Sequence, residues 1–234
     1  MKQYITVVFL GLLAFVACKK DNGSAIPNTQ SHFMFINGVP GTAFGVKVDS
    51  MSVATNVPYG QASKYATFRA QAYNLSIYPV NNPSNVLKLG QVNLRNGRYF
   101  SLILGVDSTN TGLVTVFAED DLSTLPGKTA RYRVVDLSDT WRTNRTSKTP
   151  LPLDFAVDTS IILNGFRGMT FATRSAFKTI FADSSYKMNV NWVDSSKRLG
   201  VFPMNVNNGK VYTFVATGNA LDTLNFNVFP VIHN

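Results

Sequence analysis

The chain has 234 residues with 22 Lys and Arg against 13 Asp and Glu, a net charge of +9, two histidines and a single cysteine. One cysteine excludes a disulfide framework and a cysteine-based zinc cluster. The basic residues are mostly single and alternate with apolar ones, and no zinc-finger, RNA-recognition or helix-turn-helix pattern accompanies them, so nucleic-acid binding is not expected.

Met1 and Lys2 give a short positive start, and Tyr4 to Ala17 form an apolar stretch too short to span a bilayer as a stable helix, which reads as an export signal. It ends in "FVAC", residues 15–18, which resembles the lipobox of bacterial lipoproteins, where an apolar and a small residue precede an acylated cysteine. The resemblance implies removal of residues 1–17, lipid on Cys18, and anchoring to a membrane of outer-membrane type on its periplasmic or cell-surface face. The alternative is an ordinary signal or anchor helix in which Cys18 is only a small apolar residue. Residues 18–31 are polar, contain Gly, Ser and Pro, show no periodicity, and read as a flexible tether.

Beyond the tether the segments "FMFING", "FGVKVDS", "YATFRA", "NLSIYPV", "RYFSLILGV" and "LVTVFAED" alternate or run apolar over a few residues between Gly, Asn, Asp, Ser or Pro. An ordered internal similarity accompanies them. "NGRYFSLILG" (96–105) matches "NGKVYTFVATG" (208–218), "VTVF" (114–117) matches "FNVF" (226–229), "FGVKVDS" (44–50) matches "LDFAVDT" (153–159), and "SKYATF" (63–68) matches "SAFKTI" (175–180). The expectation is an all-β chain of two tandem immunoglobulin-like antiparallel β-sandwich domains, residues 32–119 and 129–234, joined by a linker at 120–128. Charge is uneven between them: residues 18–127 carry 8 basic and 6 acidic groups, residues 128–234 carry 13 and 7.

"PYGQASKY" (58–65), "YRVVDLSD" (132–139) and "LDFAVD" (153–158) resemble recurring pieces of the domain-of-unknown-function family 4397. That resemblance implies exported β-sandwich modules, often lipoproteins, and brings no catalytic residues. The second half departs from it by carrying "MTFATRSAF" where the first has its Tyr-Gly turn.

Little in the sequence points to catalysis. His32 ends the tether and His233 adjoins the C-terminus, and neither sits in a triad or metal pattern. No cofactor or metal site is expected, and "EDD" at 119–121 reads as a solvated linker. Seven Asp-Ser or Asp-Thr pairs read as turn residues; of these Asp49-Ser50-Met51, Asp107-Ser108-Thr109 and Asp222-Thr223-Leu224 also resemble an O-glycosylation acceptor triplet, with Ser50, Ser108 and Thr223 as acceptors. After its first strand the second half inserts "SDTWRTNRTSKTP" (138–150) where the first half has the short "NGVPGT". Trp141 could offer a flat face to a sugar ring or aromatic side chain, and Arg142, Arg145 and Lys148 could hold an acidic group; the alternative is a mobile loop whose Trp141 only caps the contact between the domains. Trp192 reads as core or interface. The function expected is a non-catalytic envelope module binding a glycan or an envelope or extracellular protein, with a purely structural spacer as the alternative.

Overall fold

The computed structural model describes residues 28–107, 112–139, 141–143, 148–158, 165–193, 195, 197–221 and 225–234. The export segment and Cys18 lie outside the described residues. All regular structure among the described residues is β. The first half holds β1 (Ser31–Asn37), β2 (Phe44–Val48), β3 (Met51–Val57), β4 (Ala66–Phe68), β5 (Ala72–Pro79), β6 (Leu87–Asn93), β7 (Tyr99–Val106) and β8 (Leu113–Asp120). The second holds β9 (Thr129–Leu137), β10 (Trp141–Thr143), β11 (Lys148–Pro150), β12 (Leu153–Val157), β13 (Phe166–Met169), β14 (Thr173–Arg174), β15 (Lys178–Phe181), β16 (Ser184–Trp192), β17 (Arg198–Val206), β18 (Val211–Thr217) and β19 (Asn227–Ile232).

These strands form four sheets of two sandwiches and one separate ribbon. In the first sandwich β4-β1-β7-β8 faces β3-β2-β5-β6; in the second β14-β9-β18-β19, with β15 also on β9, faces β13-β12-β16-β17. The two sandwiches thus have the same strand order. Most pairings are antiparallel, but each sandwich contains one parallel pair, β1 with β7 and β9 with β18. Each parallel pair puts the first strand of its half beside a late one, so both halves are closed by contacts between residues far apart in sequence.

Three apolar clusters explain the layering. Phe33, Phe35, Val46, Ile77, Leu102 and Leu104 fill the first sandwich, and Tyr132, Val134, Phe155, Val190 and Phe214 fill the second. A third cluster joins Met34, Ile36, Ile103, Val116 and Ala118 of the first to Val135, Leu137, Val215, Phe229 and Val231 of the second. The sheets containing β1 and β9 therefore lie back to back, giving four layers in all. This is why "FMFI" and "YRVV" run without alternation: residues on both faces of β1 and β9 are covered. By contrast β5, with one covered face, alternates along "AYNLSI".

Local geometry agrees across the sandwiches. Asp49 and Asp158 both adopt a left-handed backbone, φ 51 and 53. Each accepts a hydrogen bond at Oδ1 from a backbone N–H of the neighbouring strand, Asn74 at 2.9 Å and Lys187 at 3.0 Å. Asp tolerates this conformation better than most residues, so Asp49 and Asp158 both serve as turn residues. Ser63 receives the Phe35 N–H on its hydroxyl at 3.0 Å, and Ser175 receives the Val134 N–H at 2.9 Å.

Candidate functional site

The joint between the two inner sheets contains a closed polar ring within its apolar contacts. Arg133 on β9 and Asp120 at the end of β8 are both fully buried and form an ion pair. Asp120 Oδ2 accepts from the Ser101 hydroxyl at 2.6 Å and the Tyr65 hydroxyl at 2.7 Å. Tyr65 Oη lies 2.7 Å from His233 Nδ1, His233 Nε2 lies 2.7 Å from Thr213 Oγ1, and Thr213 Oγ1 accepts from Arg133 Nε at 2.9 Å. Arg133 also donates to the Glu119 carbonyl at 3.0 Å, and its guanidinium lies over the Phe177 ring at 4.7 Å.

One proton arrangement satisfies every member. Burial, and after it the negative charge of Asp120, push the Tyr65 hydroxyl far above its ordinary range, so Tyr65 keeps its proton and gives it to Asp120. Tyr65 Oη then accepts from His233 Nδ1–H, and His233 Nε2 accepts from the Thr213 hydroxyl. Burial pushes His233 down to about 4 against the pull of Asp120, so the ring contains a neutral imidazole near neutral pH. Burial also lowers Arg133, opposed by Asp120. The guanidinium nevertheless keeps its charge, because its intrinsic pKa is so high. With Asp120, Tyr65, His233, Thr213 and Arg133 each hydrogen-bonded to ring neighbours on both sides, the ring holds the sandwiches in one register.

The ring corrects one sequence expectation. Asp120 is not part of a solvated linker: its carboxylate is 0% exposed and paired across the joint. Its neighbours Glu119 and Asp121 do reach solvent, pairing with Arg95, Arg98 and Arg131. The sequence also gave no reason to bring His233 together with Asp120, since 113 residues separate them; the signal available was the matching of "NGRYFSLILG" with "NGKVYTFVATG", which sets Ser101 against Thr213.

The inserted segment, expected as a loop, forms a two-stranded antiparallel ribbon outside the four large sheets, pairing Trp141 with Pro150, Arg142 with Thr149 and Thr143 with Lys148. The fold thus brings Trp141, Arg142 and Lys148 onto one ribbon, while Arg145 lies outside the described residues. Ser50 is exposed in the turn between β2 and β3; Ser108 and Thr223 lie outside the described residues. Trp192 packs on the core of the second sandwich, donates Nε1 to the Ala220 carbonyl at 3.2 Å, and carries Lys197 over its ring at 4.2 Å. Among the described residues no group of three or more His, Cys, Asp or Glu side chains is placed to hold a metal ion.

Four β layers joined by a buried face define the class: an all-β protein of paired sandwiches. Residues 31–143, from β1 into the ribbon, match the family model for a domain of unknown function (DUF4397). No curated protein matches the chain. Among solved structures, the chain is similar to the TIE protein of Bacillus anthracis at 8% identity and a TM-score of 0.24, covering 82% of this chain and 34% of that one. A candidate cell adhesion protein from Bacteroides uniformis gives 10% identity and a TM-score of 0.25, with 87% and 96% covered. A family CBM26 module from Eubacterium rectale Amy13K, in complex with maltoheptaose, gives 9% and 0.25, with 86% and 96% covered. The chain thus spans about a third of the first of these. At such TM-scores none of the three bears on function.

Proposed function

We propose that this protein is a non-catalytic binding or adhesion module of the cell envelope, lipid-anchored through Cys18 to a membrane of outer-membrane type. The ribbon β10–β11 is its recognition element, for a glycan or an envelope or extracellular protein. The observation that carries this reading is that the two sandwiches have one strand order, with β15 as an extra short strand on β9, and that the ribbon is the addition of the second half that joins neither sandwich, among the described residues. The shared order likewise supports reading the chain as tandem copies of one module. The ribbon's two strands, with one tryptophan and basic residues in and between them, pair with each other and with no strand of either sandwich among the described residues. The buried joint favours a second reading, a rigid structural spacer that needs no ligand.

A screen of the full chain against glycans and envelope proteins separates the two. For a binding module, Trp141→Ala weakens the interaction by about 1–3 kcal/mol at any ionic strength. Replacing Arg142, Arg145 and Lys148 together weakens it mainly at low salt, because exposed charges are screened within about 8–10 Å under physiological conditions. A spacer gives no hit, and a partner that ignores both variants binds elsewhere. Palmitate labelling of wild type and its loss in Cys18→Ala test the anchor.

A further inference from the structure

Directly outside the polar ring, β7, β8, the segment after β8 and β14 enclose a crevice of about 440 Å³. Its size is within the range of small-ligand sites, which favour the seam between packed units. Arg98, Tyr99, Glu119, Leu122, Ser123 and Arg174 line it, so both sandwiches contribute walls.

The charges around it are unequally committed. Arg95 and Arg98 hold Glu119, with Arg98 Nε at 3.4 Å; Arg131 holds Asp121 at 2.8 Å; Arg133 holds Asp120 beneath the floor. Each carboxylate already has a cation, which leaves none free to bind an incoming metal or amine. Arg174 is exposed at the wall and has no acidic partner among the described residues. Five guanidinium groups thus surround three carboxylates, and the surplus faces the opening. An arginine fork suits a planar carboxylate, which it can bind through two parallel hydrogen bonds. The rest of the wall is about equally polar and apolar, Leu122 and Tyr99 giving the apolar part. Glu119 and Asp121 reach solvent and can accept from hydroxyls, and Ser123 Oγ, which donates to Asp121 Oδ1 at 2.6 Å and accepts from Arg131 at 3.1 Å, keeps one lone pair for an incoming hydroxyl. Tyr99 already stacks on His32 at 4.3 Å and meets Tyr65 in a T-shaped contact at 5.2 Å, so its ring is engaged within the protein and offers little to a stacked aromatic ligand.

We propose that this crevice binds a carboxylate-bearing sugar, a uronic acid or a chain end carrying one, with Arg174 engaging the carboxylate and Ser123 and Glu119 meeting the ring hydroxyls. The site is separate from the ribbon and does not depend on the ribbon's role.

Calorimetric titration of the full chain with glucuronate and with glucose tests it. Glucuronate binds saturably and glucose at least about tenfold more weakly, the scale of one charge-assisted hydrogen-bonded pair. Arg174→Gln abolishes that preference without moving the melting temperature, because the residue is exposed and has no acidic partner among the described residues. Equal binding of the two sugars, undiminished glucuronate binding by Arg174→Gln, or no saturation by about 50 mM glucuronate, a weaker affinity than millimolar ligands show, overturns the proposal. None of these results bears on whether the ribbon has a partner of its own.

Discussion

Matching positions in the two sandwiches carry different chemistry, and the differences concentrate on the strands that meet at the joint. Since Ser63 and Ser175 bond to Phe35 and Val134 in the same way, Met34 corresponds to Arg133 and Asn37 to Asp136. Asp120 pairs with Tyr99 at the end of β8, and the His233 N–H bonds to the Val211 carbonyl at the end of β19, so Asp120 and His233 correspond, as do Ser101 and Thr213. One half supplies the acid and two hydroxyls, those of Ser101 and Tyr65, and the other the arginine, the imidazole and one hydroxyl. The joint is a face packed on its own counterpart and made unsymmetrical by a few polar exchanges. Apolar packing supplies most of its stability, and the polar ring fixes which register is allowed.

The largest effect should come from erasing the exchange at β9. Arg133→Met places there the residue type found at the matching position in the first sandwich. It leaves Asp120 buried with two hydroxyl donors and no cation, which should cost about 3–5 kcal/mol. Urea denaturation measures this, and adding Asp120→Asn should recover a large part of it, because the uncompensated charge is then gone. A double variant no more stable than Arg133→Met would mean that lost packing, not charge, sets the cost.

Much of the fold was legible in the sequence because strands covered on one or both faces carry their apolar residues in recognisable runs. "FMFI", "FSLIL" and "FGVKV" are all strands, and the ordered matches between halves fall on strands with corresponding positions. The edges were harder. β3, "MSVATNV", and β6, "LKLGQVN", lie at the two edges of one sheet, where an exposed face and irregular register weaken the pattern. The joint was not legible, since a charged residue such as Asp120 or Arg133 looks like surface until the chain is folded and its partner, far away in sequence, is in place. The ribbon residues were picked by composition, but no local signal distinguished a paired ribbon from a loop.

The pair Asn37 and Asp136 gives the next test. Asn37 accepts the Val39 N–H at Oδ1 and donates Nδ2 to the carbonyls of Thr42 and Val57 at 2.7 and 2.9 Å. Asp136 repeats the first bond with the Ser138 N–H at 2.9 Å, while its Oδ2 is buried without a partner. Burial pushes Asp136 up to about 7, against the hydrogen bonds from Ser138, which lower it. From about pH 4 to 7 the folded chain therefore keeps a proton that the unfolded chain has released, and stability from this group falls as pH rises. His233 has the opposite sign: its folded value of about 4 lies below the ordinary 6.5, so stability rises with pH across that window. The two nearly cancel in the wild type. Asp136→Asn removes the first and should stabilise the chain at pH 7.5 by on the order of 2–4 kcal/mol, with little change at pH 4. Denaturation midpoints across pH 4–8 should be nearly flat for wild type and rise with pH in the variant; a flat variant would mean that His233 does not titrate as its surroundings dictate.

The smallest effect concerns the turn that the sequence marked as divergent. Gly60, φ 75, donates its N–H to the Asn37 carbonyl at 2.9 Å; Ala172, φ 60, donates to the Asp136 carbonyl at 2.8 Å. The turn is therefore kept although its glycine is not, and Ala172 holds a left-handed backbone that an L side chain adopts at a cost of about 1–2 kcal/mol. Glycine relieves that strain but adds freedom to the unfolded chain worth roughly 0.5–1 kcal/mol. Ala172→Gly should therefore stabilise by about 0.5–1 kcal/mol, and Gly60→Ala should destabilise by a similar amount. A Cβ at residue 60 meets nothing nearer than Phe229 Cγ at 3.9 Å, so the second variant reports backbone strain without a clash. Thermal melts of both, side by side, decide it. Shifts of opposite sign and similar size would show that the two turns are held by the same backbone bonds, whereas a destabilising Ala172→Gly would show that the Ala172 methyl, packed against the joint cluster, contributes more than the strain it imposes.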